Sequence, residues 1–352
     1  MGTKIDSALT KISNAQGAVL VAKGHHVLLN KGYGYACKEE NFLNTKDTAF
    51  AIGSLTKCLT AVAILHLEQE GKLSVNDKIT KFFDNVPAEK QDITVHELLI
   101  HTAGLGMTNS TREEGGDFAK LSKAEGIRRI LNEKLLFTPG SKPQYSNNGY
   151  VLLAAIIEAA SGMTWENYIR SSQFKPAHMS NSGFFAEKLW KPKNIAVGYG
   201  RRKFGRNSPD AVPGLFWGLK GAGGIVSSPK DMFAWYQAIM DGRILNSAER
   251  AKWLKGYVQY EGRPAQEGYG LMVQNSRRNT PCLNAGGGNM WGFRASITIY
   301  PVERVFVFNC TNSDETDFMQ FNLAELVPLF GPVAPGQMQR TVGGERRGGT
   351  GS

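Results

Sequence analysis

Strand-like runs lie near both ends of this chain, with a long stretch of helical spacing between them. Residues 18–22 and 27–30 alternate apolar and other side chains around Lys23-Gly24-His25-His26, the pattern of a β-hairpin. Residues 270–274, 293–300 and 305–310 are again rich in apolar strand formers. The segment from Ser54 carries Leu59, Val62, Ala63, Ile64 and Leu67 at helical spacing and stops at Gly71, a natural residue for ending a helix. Thr94-Val95-His96-Glu97 is a capping box for a short helix through Ile100, and residues 120–132, 150–160 (stopped by Gly162) and 165–174 follow as helices. Ser228-Pro229-Lys230-Asp231 opens another that stops at Gly242, and residues 316–327 read as a closing helix. Strands so far apart need partners. The simplest solution is an α+β fold, with both terminal segments sharing one antiparallel sheet flanked by the first and last helices. Residues from about 75 to 215 would form a mainly helical subdomain. From residue 331 onward Gly, Pro and Arg dominate, so 334–352 are expected to be a disordered tail after a single domain over 1–333.

Composition removes several classes of function. With 352 residues, 41% hydrophobic and 20% charged, the chain can bury a large globular core. No apolar run approaches the roughly 18 residues needed to span a bilayer. Residues 1–15 are polar and do not resemble a secretory leader, so a cytoplasmic setting is expected. Cys37, Cys58, Cys282 and Cys310 show neither metal-ligand spacing nor a disulfide framework. The net charge of +10 is concentrated in Lys188, Lys191, Lys193, Arg201, Arg202, Lys203 and Arg206, and in Arg340, Arg346 and Arg347 of the tail. Few aromatics interleave with these cations and no nucleic-acid-binding motif is present, so they read as solvated surface.

Chemistry enters with Ser54-Leu55-Thr56-Lys57. A serine and a lysine three apart on a helix share a face, so the ammonium can reach the hydroxyl. A serine hydroxyl needs a proton acceptor to become a nucleophile, and a desolvated lysine can supply one. Pro139-Gly140 then leads into Tyr145-Ser146-Asn147 just before a helix, where a tyrosine hydroxyl can relay a proton and Asn147 can meet a substrate amide or Lys57. In Asn284-Ala285-Gly286-Gly287-Gly288-Asn289-Met290-Trp291-Gly292-Phe293, the glycines let a substrate backbone approach and can aim a main-chain N–H at an oxyanion. No helix follows them, which excludes a dinucleotide fingerprint. Each feature alone also has an ordinary structural reading: a buried tyrosine, an Asn cap, a bulged edge strand.

Taken in order, Ser54-x-x-Lys57, Tyr145-x-Asn147 and the late glycine-rich strand resemble the penicillin-recognising serine hydrolases. The branch is that of class C β-lactamases, family VIII esterases, D-alanyl-D-alanine carboxypeptidases and D-aminopeptidases. Further family-like phrases are Thr48-Ala49-Phe50-Ala51-Ile52-Gly53, His66-Leu67-Glu68-Gln69-Glu70-Gly71-Lys72-Leu73, the stretch from Val95 through His101-Thr102-Ala103-Gly104-Leu105, and Gly223-Gly224-Ile225-Val226-Ser227-Ser228. The resemblance runs from about residue 5 to about residue 330. It implies a β-lactamase/transpeptidase-like fold, an acyl-enzyme on Ser54, and proton transfer shared between Lys57 and Tyr145. It also implies substrate contacts from Asn147, Gly286, Gly287, Gly288, Asn289 and Trp291. The oxyanion would sit between the N–H groups of Ser54 and Asn289. No metal or other cofactor is implied, and the partner would be a small ester or amide.

One departure narrows this expectation. Relatives carry Lys-Thr-Gly or His-x-Gly on this strand, and counting back from Gly292-Phe293 puts Gly286 where the Lys or His belongs. Neither Ala285 nor Asn284 would replace that cation if the register slipped. The loss counts against efficient turnover of β-lactams and peptidoglycan peptides. It leaves open an esterase or amidase, an acyltransferase of biosynthetic metabolism, or a binding protein with an impaired site. His96 and His101 lack zinc-motif spacing and read as structural, as do His25, His26 and Cys58. Phe216, Trp217, Met290 and Trp291 could line a cleft or fill the core.

Overall fold

In the computed structural model, which describes residues 2–320 apart from 13, 112, 202–205, 277 and 290, the two ends of the chain meet in one sheet. Helix α1 (Gly2–Leu9) leads into the hairpin β1 (Gly17–Lys23) and β2 (His26–Tyr33). The ribbon β3 (Tyr35–Cys37) and β4 (Phe42–Leu43), then β5 (Phe50–Ala51), precede α2 (Thr56–Gln69). The helical region comprises α3 (Val95–Leu99), α4 (Lys123–Asn132), α5 (Asn147–Ser161), α6 (Trp165–Ile169) and α7 (Lys175–Ala177). After β6 (Gly183–Phe184) and β7 (Ile225–Ser227) come α8 (Pro229–Met240) and α9 (Ser247–Trp253). A run of strands ends the described chain: β8 (Gly256–Gln259), β9 (Gln266–Gly268), β10 (Met272–Asn275), β11 (Pro281–Gly288), β12 (Arg294–Tyr300) and β13 (Val305–Thr311).

Among the described residues the main sheet has eight strands in the order β2-β1-β13-β12-β11-β10-β9-β8. The closure that joins the termini is the antiparallel pair β1–β13, from Ala18 opposite Cys310 to Lys23 opposite Val305. Both faces of this pair are buried, so β1 reads as a continuous apolar run with two destinations. Ala18, Leu20, Ala22, Phe306 and Phe308 face the large core, while Val19, Val21, Val305 and Val307 join Ile5, Leu9 and Phe318 on the other side. Helix α2 is buried nearly all round, from Thr56 to Leu65 and at Leu67, and packs against α5, α6 and α9. Each fully buried Leu or Ile contributes about 1.5–3 kcal/mol, so the helix carrying the Ser-x-x-Lys lysine is firmly anchored in the large core.

The α+β class, the sheet shared by both ends and the first hairpin match the sequence expectation, with Lys23 opposite His26 across the turn. The capping box at Thr94 is present in full. Helix α5 starts at Asn147 rather than 150, because Ser146 Oγ caps it by accepting the Gly149 N–H at 3.1 Å. Residues 165–174 divide into α6 and a π-helical turn, Arg170–Phe174. The expected closing helix is described only as a 3-10 turn at Phe318–Gln320; its remainder and the expected tail 334–352 lie outside the described residues. The four cysteines are buried free thiols, and no described helix is long and apolar enough to cross a membrane.

Candidate active site

Strand β5 ends against Ile52, and a 3-10 turn, Gly53–Leu55, then runs directly into α2. This places Ser54 at a helix start, where main-chain N–H groups and the helix dipole favour negative charge. Gly53 has φ 54°, a backbone that glycine adopts without strain, and a Cβ there would lie 2.8 Å from the Gly288 nitrogen. One helical turn on, Lys57 is 2% exposed. Its Nζ donates to Ser54 Oγ at 3.2 Å, Asn147 Oδ1 at 2.8 Å and the Ala222 carbonyl at 2.9 Å. An ammonium has three hydrogens, and these acceptors fit all three. Tyr145 OH donates to Ser54 Oγ at 2.8 Å, so both proton-carrying groups converge on one oxygen. The ammonium also lies 4.8 Å from the Tyr145 ring centroid.

The tyrosine is held from below by His101, which adopts φ 60°. The His101 ring packs against Tyr145 at a tilt of 38° with centroids 4.6 Å apart, and its Nδ1 accepts the Ser146 N–H at 3.1 Å. Burial, reinforced by Lys57, pushes His101 down to about 3, so the imidazole is neutral and acts as a support. Burial pushes the Tyr145 phenol up to about 12, against the lowering effect of its bond to Ser54. Its resting form at neutral pH is therefore the protonated phenol.

The glycine strand forms the opposite wall, and here the readings of strand β11, Asn289 and Trp291 are corrected. Strand β11 is not an edge; it lies between β10 and β12. The Asn289 N–H donates to the Phe293 carbonyl at 2.9 Å, and Asn289 Oδ1 accepts from the Trp291 and Phe293 N–H groups. Asn289 therefore closes the β11–β12 turn, and its N–H is not directed at Ser54. Ladder alternation instead turns the N–H of Gly288 away from β12. A Cβ on Gly287 would lie 2.2 Å from Ser54 N and 2.7 Å from Ile52 O, whereas one on Gly286 would meet nothing closer than 3.7 Å. The steric demand for glycine thus falls at 287. If that is the family's motif glycine, the missing Lys or His belongs at Ala285, one residue before the position reached by counting. Trp291 is corrected as well. It is 6% exposed and stacks on Phe118 at 4.6 Å and near Phe185 at 5.7 Å, and it does not line the cleft beside Ser54.

That cleft measures about 820 Å³ and is bounded by Ser54, Lys57, Tyr145, Ala285, Gly286 and Glu267. Glu267, on β9, was not anticipated from sequence, nor were the Ala222 carbonyl and the supporting role of His101. No local pattern marks a glutamate on a three-residue strand. Only the His-Thr-Ala-Gly and Gly-Gly-Ile-Val phrases pointed to the other two neighbourhoods. Glu267 is 5% exposed, accepts from Tyr260 OH at 3.0 Å, and is pushed by burial up to about 7 despite that bond and Lys57.

Comparison with known proteins agrees with this geometry. The beta-lactamase family model matches residues 5–328. The chain is 34% identical to PbpX of Bacillus subtilis (strain 168) over 71% of its own length and 61% of that protein, and so spans under two thirds of it. The crystal structure of a penicillin binding protein from Bacillus halodurans superposes with a TM-score of 0.76 at 26% identity, covering 90% of this chain and 96% of that one. An octameric penicillin-binding protein homologue from Pyrococcus abyssi gives 0.78 at 28% identity, covering 94% and 75%.

Proposed function

The chain belongs to the beta-lactamase family of serine hydrolases, and on that premise we propose that it cleaves a carboxylic ester or amide through an acyl-Ser54 intermediate. The observation that carries this reading is the convergence of Lys57 Nζ and Tyr145 OH on Ser54 Oγ, at 3.2 and 2.8 Å. Attack needs the Lys57–Tyr145 pair in the form that has first lost one proton to solvent from the resting ammonium and phenol. As Oγ attacks the carbonyl carbon, its proton passes into that pair, which acts as one unit. The phenol is protonated at neutral pH and hydrogen-bonded at Ser54 Oγ, so it is placed to donate in the return step to the leaving alcohol or amine. The tetrahedral oxyanion is received by the N–H groups of Ser54 and Gly288, at the positive end of the α2 start. Water then attacks the acyl carbon, the pair takes and returns a second proton, and Ser54 is regenerated.

The Ala285–Gly286 wall carries no cation, which supports substrates other than those anchored by a carboxylate at that point. A second reading, acyl transfer to an alcohol or amine, is favoured by the width of the cleft, with its volume of about 820 Å³. The assembled Ser54 cluster counts against a purely binding role. Hydrolysis of p-nitrophenyl acetate and butyrate tests the first reading. Turnover absent in the wild type, or unchanged in Ser54→Ala, would sink it. Acceleration of p-nitrophenol release by added alcohols or amines, with acylated acceptor as product, would establish transfer over hydrolysis.

A further inference from the structure

We propose that Glu267 forms a cation-binding subsite beside Ser54, which takes a protonated amine of the substrate on the wall where relatives place a positive charge. This rests on the acyl-Ser54 reading for the position of the scissile bond, but the subsite itself rests on separate observations. Glu267 is 95% buried, yet its carboxylate borders the same cleft as Ser54, Lys57 and Tyr145. Its hydrogen bond among the described residues is the one from Tyr260 OH, and that engages a single oxygen, Oε2. A buried carboxylate that lacks a contacting cation is costly, and a ligand cation reaching it through the cleft removes that cost. The nearby buried cation, Lys57, directs its three hydrogens to Ser54, Asn147 and Ala222.

On the same wall, Ala285 and Gly286 offer a substrate carboxylate neither charge nor side-chain donor. The other charges on the cleft, Lys142, Glu261 and Arg263, are exposed at its rim, where solvent and salt screen them. Arg263 lies over the Tyr260 ring at 5.7 Å. Away from the Lys57 ammonium, the depth of the pocket therefore presents the Glu267 charge. This selects an acyl donor or leaving group with an ammonium a few bonds from the scissile carbonyl, and it disfavours the acidic counterpart.

The titratable groups around Glu267 are Lys57, Cys58, Tyr145, Tyr150, Tyr260 and the neutral His101, with Glu261 and Arg263 at the rim. Burial holds its titration near neutrality, so assays belong at pH 8, where the carboxylate predominates. The test compares kcat/KM for β-alanyl and 4-aminobutyryl p-nitroanilides with their neutral butyryl and pentanoyl isosteres and with succinyl p-nitroanilide. A charge-assisted contact in a desolvated site predicts a preference of about tenfold or more for an ammonium-bearing member. Glu267→Gln should bring that ratio to about one. A wild-type enzyme with no such preference overturns the subsite, whether or not the variant folds. So does a preference that survives Glu267→Gln. If no anilide is cleaved, thermal shifts read binding without chemistry. Stabilisation by n-butylammonium over butyrate in the wild type supports the subsite, and equal shifts overturn it. Amine-selective binding without cleavage would count against the acyl-serine reading alone.

Discussion

The two walls of the cleft are built on opposite principles. The helical wall, from the start of α2 and the start of α5, brings Ser54, Lys57, Tyr145 and Asn147 into one closed set of hydrogen bonds. The sheet wall, from β9 to β11, presents Ala285 and Gly286 without polar side chains, beside one buried carboxylate whose recorded bond is to Tyr260. The first wall has what bond cleavage needs, fixed on a helix anchored in the core. The second has what recognition needs and differs from the pattern that its motif resembles. On the proposed reading, reaction type and substrate choice are separable in this molecule, and changing one wall should alter one of them.

The largest effects belong to the helical wall. Lys57→Met and Tyr145→Phe should each lower kcat/KM for p-nitrophenyl butyrate by about 10²–10⁴-fold, the usual range for loss of a positioned proton carrier. Both should keep the circular-dichroism spectrum of the parent; a loss below tenfold in both would mean that another group moves the proton. Next comes the seam between the walls. Gly287→Ala puts a methyl carbon 2.2 Å from the Ser54 backbone nitrogen, where no flexible side chain can yield. A displacement of about 1 Å there should cost roughly 10²-fold in turnover. Gly286→Ala, whose nearest new contact is 3.7 Å, should cost little. Equal losses in the two variants would break the assignment of Gly287 as the close-packed position.

Changes confined to the sheet wall should be smaller and should alter preference. Ala285→His restores a donor at the vacant motif position and should raise turnover of succinyl p-nitroanilide relative to the butyryl compound, by about three- to tenfold. Gly286→His should do less. The reverse order would return the motif to the register counted from Gly292-Phe293. Glu267 also affects stability. Its carboxyl takes up a proton more readily in the fold than in the unfolded chain, so its favourable contribution is complete below about 4.5 and is lost as pH rises through about 7. Glu267→Gln should therefore raise Tm relative to wild type by more at pH 8.5 than at pH 5. A pH-independent difference would show that the carboxylate is not desolvated.

The contrast between the walls also explains what the sequence revealed. Ser54, Lys57, Tyr145 and Asn147 sit at helix starts, where capping and turn residues mark position locally: Gly53 before the serine, Ser146 before Asn147. Strands near both ends, with alternating or continuous apolar runs, made the shared sheet legible. The sheet wall was harder to read because strand register depends on partners far away in sequence. If Gly287 is the motif glycine, counting from Gly292-Phe293 shifts the motif by one residue, because it misses the turn that Asn289 closes with Phe293. Trp291 looked like a cleft residue because the glycines precede it, yet the chain reverses there and buries the indole against Phe118 and Phe185. Glu267 lies on a strand of three residues, Gln266–Gly268, too short for any periodicity to identify.

The proposed chemistry meets its most direct test in mass spectrometry of the intact protein and its peptides after reaction with a fluorophosphonate probe. A single adduct on Ser54, slowed strongly in Lys57→Met and absent in Ser54→Ala, is the predicted result. An unmodified Ser54, or an adduct that forms equally in Ser54→Ala, would contradict an acyl-serine enzyme.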